Sequence, residues 1–274
     1  MKKVPHPVVT ILLTTALFFS PACSKVREYI EQHPSDIGKY CRIDSFVVND
    51  LFAGLQHFQF RYDAAGNPIE IRQDGVQYGE DLHLRYDKKG RLSDVLQTDP
   101  GQTFVYIWTR YTYPSSRVII DSVFNYQGNV TDPNPPRTPG STVTITKMQL
   151  DEEGRPVKFQ TYYTDPGIPS GTYDVSYDRN GNLIVPGLAY DDKVNIYQTN
   201  KAWQLIYGDY SRNNPTAPQP RNGPGLPPVT PASYNAYGLP TIFQGPFRPI
   251  FGFTSYVSIT ASYSCDVASP TTAY

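Results

Sequence analysis

The chain returns five times to one short pattern: an aromatic residue or leucine, Asp or Asn, two free positions, Gly, one further residue, Leu or Pro, and an apolar residue three places on. The copies are Tyr62-Asp63-x-x-Gly66-Asn67-Pro68-x-x-Ile71, Tyr86-Asp87-x-x-Gly90-Arg91-Leu92-x-x-Val95 and Leu150-Asp151-x-x-Gly154-Arg155-Pro156-x-x-Phe159. Two more follow, Tyr177-Asp178-x-x-Gly181-Asn182-Leu183-x-x-Pro186 and Tyr234-Asn235-x-x-Gly238-Leu239-Pro240-x-x-Phe243. Internal repetition constrains architecture before any single residue does. Asp and Asn open turns because their short side chains accept hydrogen bonds from backbone N–H groups a few residues on. Gly three places later supplies the positive φ that such a reversal needs. Each copy therefore predicts a strand, a corner and a strand.

The residues ahead of each corner alternate. Phe58, Phe60 and Tyr62 fall on one face, and His57, Gln59 and Arg61 on the other. Leu82, Leu84 and Tyr86 alternate likewise with His83 and Arg85. Period two marks half-buried strands, an arrangement that antiparallel sheets tolerate and parallel sheets rarely do. After the Gly the two apolar positions are three apart. Either a β-bulge restores the phase or both faces are partly covered there.

The Tyr-Asp-x-x-Gly-x-Leu-x-x-Val pattern resembles the YD repeat, the unit of rearrangement-hotspot (RHS) and teneurin-type β-shells. Five irregularly spaced copies are too few for such a shell. The chain is more similar to lipoproteins of the Bacteroidota built from a few of these units and classed as domains of unknown function. Tyr190-Asp191-Asp192-Lys193-Val194-Asn195, Ser211-Arg212-Asn213-Asn214 and the last copy look like the C-terminal part of those families. The resemblance covers the chain from about Cys41 onward and implies an all-β architecture without implying a reaction.

The N-terminus reads as a targeting segment. Lys2 and Lys3 precede an apolar core from Val8 to Phe19, which is too short to span a bilayer as a conventional helix. Ser20-Pro21-Ala22-Cys23 then resembles a lipobox, implying cleavage before Cys23 and lipidation of its thiol. The expected division is a signal peptide at 1–22, a lipidated tether at 23–40 and one β domain at 41–274. The expected location is the cell envelope, on an outer-membrane lipoprotein whose facing side is open. Mixed, mostly basic residues follow Cys23, where a surface-export signal would be acidic.

Cys41 and Cys265 remain. They sit near the start of the first strand and the end of the last, either as a disulfide or as two buried free thiols. Two lone cysteines without a CxxC give no basis for a metal site. A formal net charge of −1 gives no electrostatic case for nucleic acid. The 22 tyrosines suit sheet packing, with an aromatic platform for a sugar ring as the functional alternative.

Two stretches rich in turn formers, Gln127–Ser141 and Ser211–Ala232, read as long loops within the domain, because proline withholds the N–H a ladder needs. Between Tyr197 and Tyr210 the phase changes to helical spacing at Trp203, Ile206, Tyr207 and Tyr210, with Asn200 as N-cap. This predicts one short helix near 200–210, covering a sheet edge or face. A second short helix is expected at Val26–Gln32. The fold class is therefore all-β: an antiparallel meander of YD-type hairpins, twisted and curled or partly closed as a barrel.

No catalytic residues and no cofactor are assigned. His57, His83 and Asp81 form the one conceivable metal cluster, but they lack a ligand motif and read as solvent-face residues; His33 stands apart. The repeat aspartates each have a turn to stabilise, and EF-hand spacing is absent. Glu80-Asp81, Glu152-Glu153 and Asp191-Asp192 are neighbours in turns, where adjacent side chains diverge, so none is a glycosidase pair. The expected function is non-catalytic: a membrane-anchored protein binding a glycan, a peptide or an envelope protein through a sheet face or long loops. A glycan hydrolase with loop-borne carboxylates and a purely structural part of a surface complex are the alternatives.

Overall fold

The computed structural model describes residues 28–30, 33–50, 54–74, 79–134, 143–164, 167, 170–216, 230–247 and 255–265. Ten strands form a meander: β1 Cys41–Asp50, β2 Gly54–Tyr62, β3 Pro68–Asp74, β4 Asp81–Tyr86, β5 Leu92–Thr98, β6 Phe104–Ser115, β7 Val118–Asn129, β8 Val143–Leu150, β9 Pro156–Tyr163 and β10 Gly171–Asp174. An insert follows, with β11 Tyr190–Val194, a 3-10 turn at Ile196–Thr199, helix α1 at Lys201–Tyr207 and β12 Asn213–Pro215. The chain closes with β13 Thr230–Tyr234, β14 Pro240–Phe247 and β15 Ser255–Cys265.

Thirteen of these strands make one antiparallel sheet in the order β10-β9-β8-β7-β6-β5-β4-β3-β2-β1-β15-β14-β13. The sheet is curled but not closed, since β10 and β13 remain edges. The last strand returns to the first. β15 pairs with β1 with Cys41 opposite Cys265, and the two cysteines form a disulfide across 224 residues.

All five corners lie where the pattern places them. Gly66, Gly90, Gly154, Gly181 and Gly238 have φ between 78° and 84° or, at Gly90, 72°. The phase question resolves as a bulge at four of them. Tyr62 pairs with Pro68 and Arg61 with Glu70, leaving Ile69 as the extra residue. The same slip follows Tyr86, Leu150 and Tyr234. One added residue puts the two apolar positions on a single face, so Pro68 and Ile71, or Leu92 and Val95, are buried together.

That face carries the core. Phe46, Phe58, Phe60, Leu84, Val95 and Ile259 are buried in one cluster with Ala202 and Trp203 of α1, and Trp203 is edge-on to Phe60 at 5.3 Å. The insert thus packs onto the sheet's buried face. Asn200 caps α1 as expected, accepting a hydrogen bond from the Ala202 N–H. Gly208, at φ 68°, ends the helix, so Tyr210 lies beyond it and not on its stripe. A smaller cluster joins Ile30, Ile37, Cys41, Val194 and Leu239. The packed body therefore takes in part of the segment expected as a tether. Of the helix expected at Val26–Gln32, Glu28–Ile30 are helical and the rest lie outside the described residues.

The opposite face has a third cluster, Leu96, Val105 and Trp108, overlaid by residues 129–134. Arg85 donates to the Val130 and Asp132 carbonyls, and Arg110 to Pro133 and Asn134. Both guanidinium groups lie over the Trp108 ring, at 5.0 and 5.3 Å. The expected loop at Gln127–Ser141 is thus strand as far as Asn129. Likewise Asn213–Pro215, expected as loop, pairs with β11. Residues 135–142 and 217–229, the tips of both loops, lie outside the described residues.

Candidate functional site

Each corner is a closed hydrogen-bond unit. At the first, Asp63 Oδ1 accepts the N–H groups of Ala65 and Asn67, the Gly66 N–H donates to the Asp63 carbonyl, and the Asp63 N–H donates to Asn67. Asp87, Asp178 and Asn235 repeat all four bonds. Hydrogen bonds from Asn67 hold the Asp63 carboxyl below the usual carboxylate range. Burial opposes ionisation at Asp87 and Asp151, yet bonds from Arg91 and Arg155 hold both low as well.

A tyrosine from further along the chain locks each corner, Tyr190 through the Leu183 carbonyl at the fourth. The Tyr86 hydroxyl donates to the Pro68 carbonyl at 2.7 Å, Tyr177 to Pro156 at 3.0 Å and Tyr263 to Pro240 at 2.5 Å. Tyr113 donates to Leu92 at 2.7 Å, and burial pushes its phenol up to about 12. Arg91 and Arg155, each paired with its corner aspartate, stack on Tyr113 and Tyr177 at 4.0 and 4.3 Å. Tyr113 also marks a sixth reversal, at Ser115–Val118, which keeps the tyrosine but has lost the Asx and Gly. These tyrosines are scaffold, and the sugar-platform reading does not apply to them.

The fourth corner differs from the rest. Its hydrogen bonds are intact, but its flanks meet in a single bridge, Tyr177 to Leu183, and Pro186 is exposed. A polar knot from the insert replaces the ladder. The Asn182 side chain donates to the Asn213 side-chain oxygen at 3.1 Å and accepts the Asn213 backbone N–H at 2.8 Å, and Asn195 donates to Asp209. Asp191 accepts the N–H groups of Lys193 and Asn214, and the Tyr234 hydroxyl donates to it. The Tyr190–Asn195 and Ser211–Asn214 motifs thus tie the fourth corner, the insert and the fifth corner together.

Two clefts flank this corner and share Arg179, Asn180 and Arg212 as lining. One, of about 470 Å³, also involves Ile30, Asp191, Lys193 and Tyr237. The other, of about 710 Å³, runs past Arg155, Gln198, Lys201 and Tyr210. Their acids are committed: Asp178 and Asp191 accept backbone N–H groups, Glu153 pairs with Arg155, and Asp192 with Lys193.

The open β10 edge carries a different feature. Tyr173 is 55% exposed, and its ring lies parallel to Phe159 at 4.7 Å. They sit opposite each other on β10 and β9, on the face that holds the core further in.

The remaining expected residues do not converge. β3 separates His57 from His83; His57 is exposed, and His83 sits 3.8 Å from Glu70. Burial lowers the His83 pKa. Asp81 anchors a loop, accepting the Gln73 and Gly101 N–H groups. His33 stacks on Tyr29. Among the described residues no three metal-binding side chains come together, and no helix is long and apolar enough to cross a membrane. Cys23 lies outside the described residues. Sequence reasoning missed the basic cleft rim, because Arg179 occupies a free position of the repeat. It also missed Asp121, half-buried on β7, whose buried Oδ1 has no hydrogen-bond partner among the described residues and whose carboxyl burial pushes up to about 7.

No family model matches the chain, and no curated protein matches it.

Proposed function

We propose that the chain is a non-catalytic lipoprotein of the cell envelope, of the few-unit YD-repeat kind, held at the outer membrane by lipid on Cys23. It binds a glycan or an extended peptide on the sheet face beside its open edge. The observation that carries this reading is the Phe159–Tyr173 stack. The corner tyrosines are turned inward with their hydroxyls on backbone carbonyls, whereas Tyr173 stays more than half exposed at the rim of the buried face, backed by the Phe159 ring. Flat rings beside hydrogen-bonding backbone suit the apolar faces of sugars and extended chains. The acids of both clefts hold backbone N–H groups or basic side chains, which favours binding over hydrolysis.

The test is capture of partners from native membranes by the intact lipoprotein, followed by a glycan array, with Tyr173→Ala alongside. The reading expects a ligand retained by the native chain and weakened at least tenfold by the substitution. Equal capture by both chains, or cleavage of an arrayed glycan, would overturn it.

A further inference from the structure

The fourth corner gathers positive charge that the scaffold leaves unpaired. Arg179, Lys201 and Arg212 are exposed and make no ion pair among the described residues. Arg155, on the same cleft, is committed to Asp151 and Glu153. The chain as a whole has a formal net charge of −1, so this concentration is local. Tyr210, 7% exposed, lines the same cleft, and its buried hydroxyl has no hydrogen-bond partner among the described residues. Buried polar atoms are almost always satisfied, and an orphan beside a cleft marks a place for water or ligand.

The position of this cluster matters as much as its charge. Ile30 lines the neighbouring cleft together with Arg179 and Arg212. Ile30, the first buried residue among those described, lies seven residues after Cys23. Fully extended, that segment spans at most about 25 Å. It carries Lys25 and Arg27 as well. A lipid on Cys23 would therefore hold the fourth corner close to the bilayer.

We infer that the Arg179–Lys201–Arg212 cleft seats phosphate groups of anionic lipid headgroups, so that the domain lies with its fourth corner against the membrane. This rests on the anchor reading above, and not on the ligand proposed for the Phe159–Tyr173 stack. Guanidinium forks match phosphate geometry, and each basic residue near an anionic surface tightens binding by about fivefold. The opposing charges act only within a Debye length, so tether and cleft reinforce each other. Such seating fixes the orientation of the domain, which a single lipid anchor does not.

The test uses the mature chain with Cys23→Ser, so that no acyl chain contributes, in sedimentation with phosphatidylcholine vesicles with and without phosphatidylglycerol. Binding is expected only where phosphatidylglycerol is present and should fall as salt rises. Arg179→Ala, Lys201→Ala and Arg212→Ala together should weaken it about a hundredfold. Lys88→Ala with Lys89→Ala, exposed cations on the second corner, should leave it unchanged. Melting curves show whether the triple variant stays folded; all three side chains are exposed, and Arg→Gln and Lys→Gln replacements, which keep side-chain bulk, provide a second set. Equal binding to phosphatidylcholine alone, or equal losses in the cleft and second-corner variants, would overturn the inference. The mass of the N-terminal peptide from the native lipoprotein reports acylation of Cys23 separately, so the anchor reading stands or falls on its own measurement.

Discussion

The second and fourth corners have the same local hydrogen bonds and different surroundings. At Asp87 the corner joins β4 to β5, six pairs of residues in register, with the bulge at Ser93 and the Tyr113 hydroxyl on the following strand. At Asp178 the flanks meet once, and the insert supplies the remaining contacts through Asn213, Ser211 and the Tyr190 hydroxyl on the Leu183 carbonyl. The corner is therefore a property of four or five residues, whereas pairing beyond it requires alternating apolar residues on both sides. Leu82, Leu84 and Tyr86 provide that at the second corner; Ile184 and Pro186, both exposed, do not at the fourth.

The largest effect should come from the insert. Trp203→Ala removes the fully buried ring that joins α1 to Phe60, at a cost of about 4 kcal/mol. The fourth corner should loosen with it while the second stays paired. Hydrogen exchange of the Asp178 and Asp87 amides reads the difference, and equal loosening would make the two regions one unit.

Next is the buried carboxyl between them. Asp121 pairs with Tyr111 and Thr146 in the sheet and lies within electrostatic reach of Tyr210. Burial raises its pKa from 3.8 to about 7. The folded state then holds this proton more tightly than the unfolded chain does. Stability should fall as pH rises from about 4 through about 7, by on the order of 3 kcal/mol. Asp121→Asn should abolish that fall and melt higher than the native chain at pH 8. An unchanged pH profile in the variant would remove Asp121 from the account.

Gly90→Val forces a branched side chain into positive φ, at about 2 kcal/mol, and should lower the global melting temperature. Gly181→Val carries the same strain and adds a 3.3 Å approach to Arg155, yet it should act on the insert more than on the sheet. Calorimetry with site-resolved exchange separates the two, and identical global destabilisation would erase the distinction. The smallest expected change is Tyr86→Phe, about 1 kcal/mol, for the lost bond to Pro68. At acid pH the corner carboxylates of Asp63, Asp87 and Asp151, whose pKa values are lowered, should lose their contribution as pH falls through those values.

The corners were legible because their chemistry is local: Asp63 and Gly66 settle their own geometry. The α1 cap at Asn200 and the inward faces of β2 and β4 were legible for the same reason. The bulge at Ile69 was not, because two ways of covering a strand satisfy the same spacing. The sixth reversal after Tyr113 was hidden by the loss of its Asx and Gly. The return of β15 to β1 depends on contacts more than 200 residues apart, which no local pattern encodes. The basic rim of Arg179, Lys201 and Arg212 comes from three separate segments that meet only once the insert folds back.

Native-state hydrogen exchange at the corner amides tests the central claim most directly. The amides of Asp63, Asp87, Asp151, Asp178 and Asn235 should all be protected, each through its bond to the carbonyl four residues on. Asp178 should open at a lower free energy, together with the insert. Exchange at these five amides as fast as in an unstructured peptide would contradict the account.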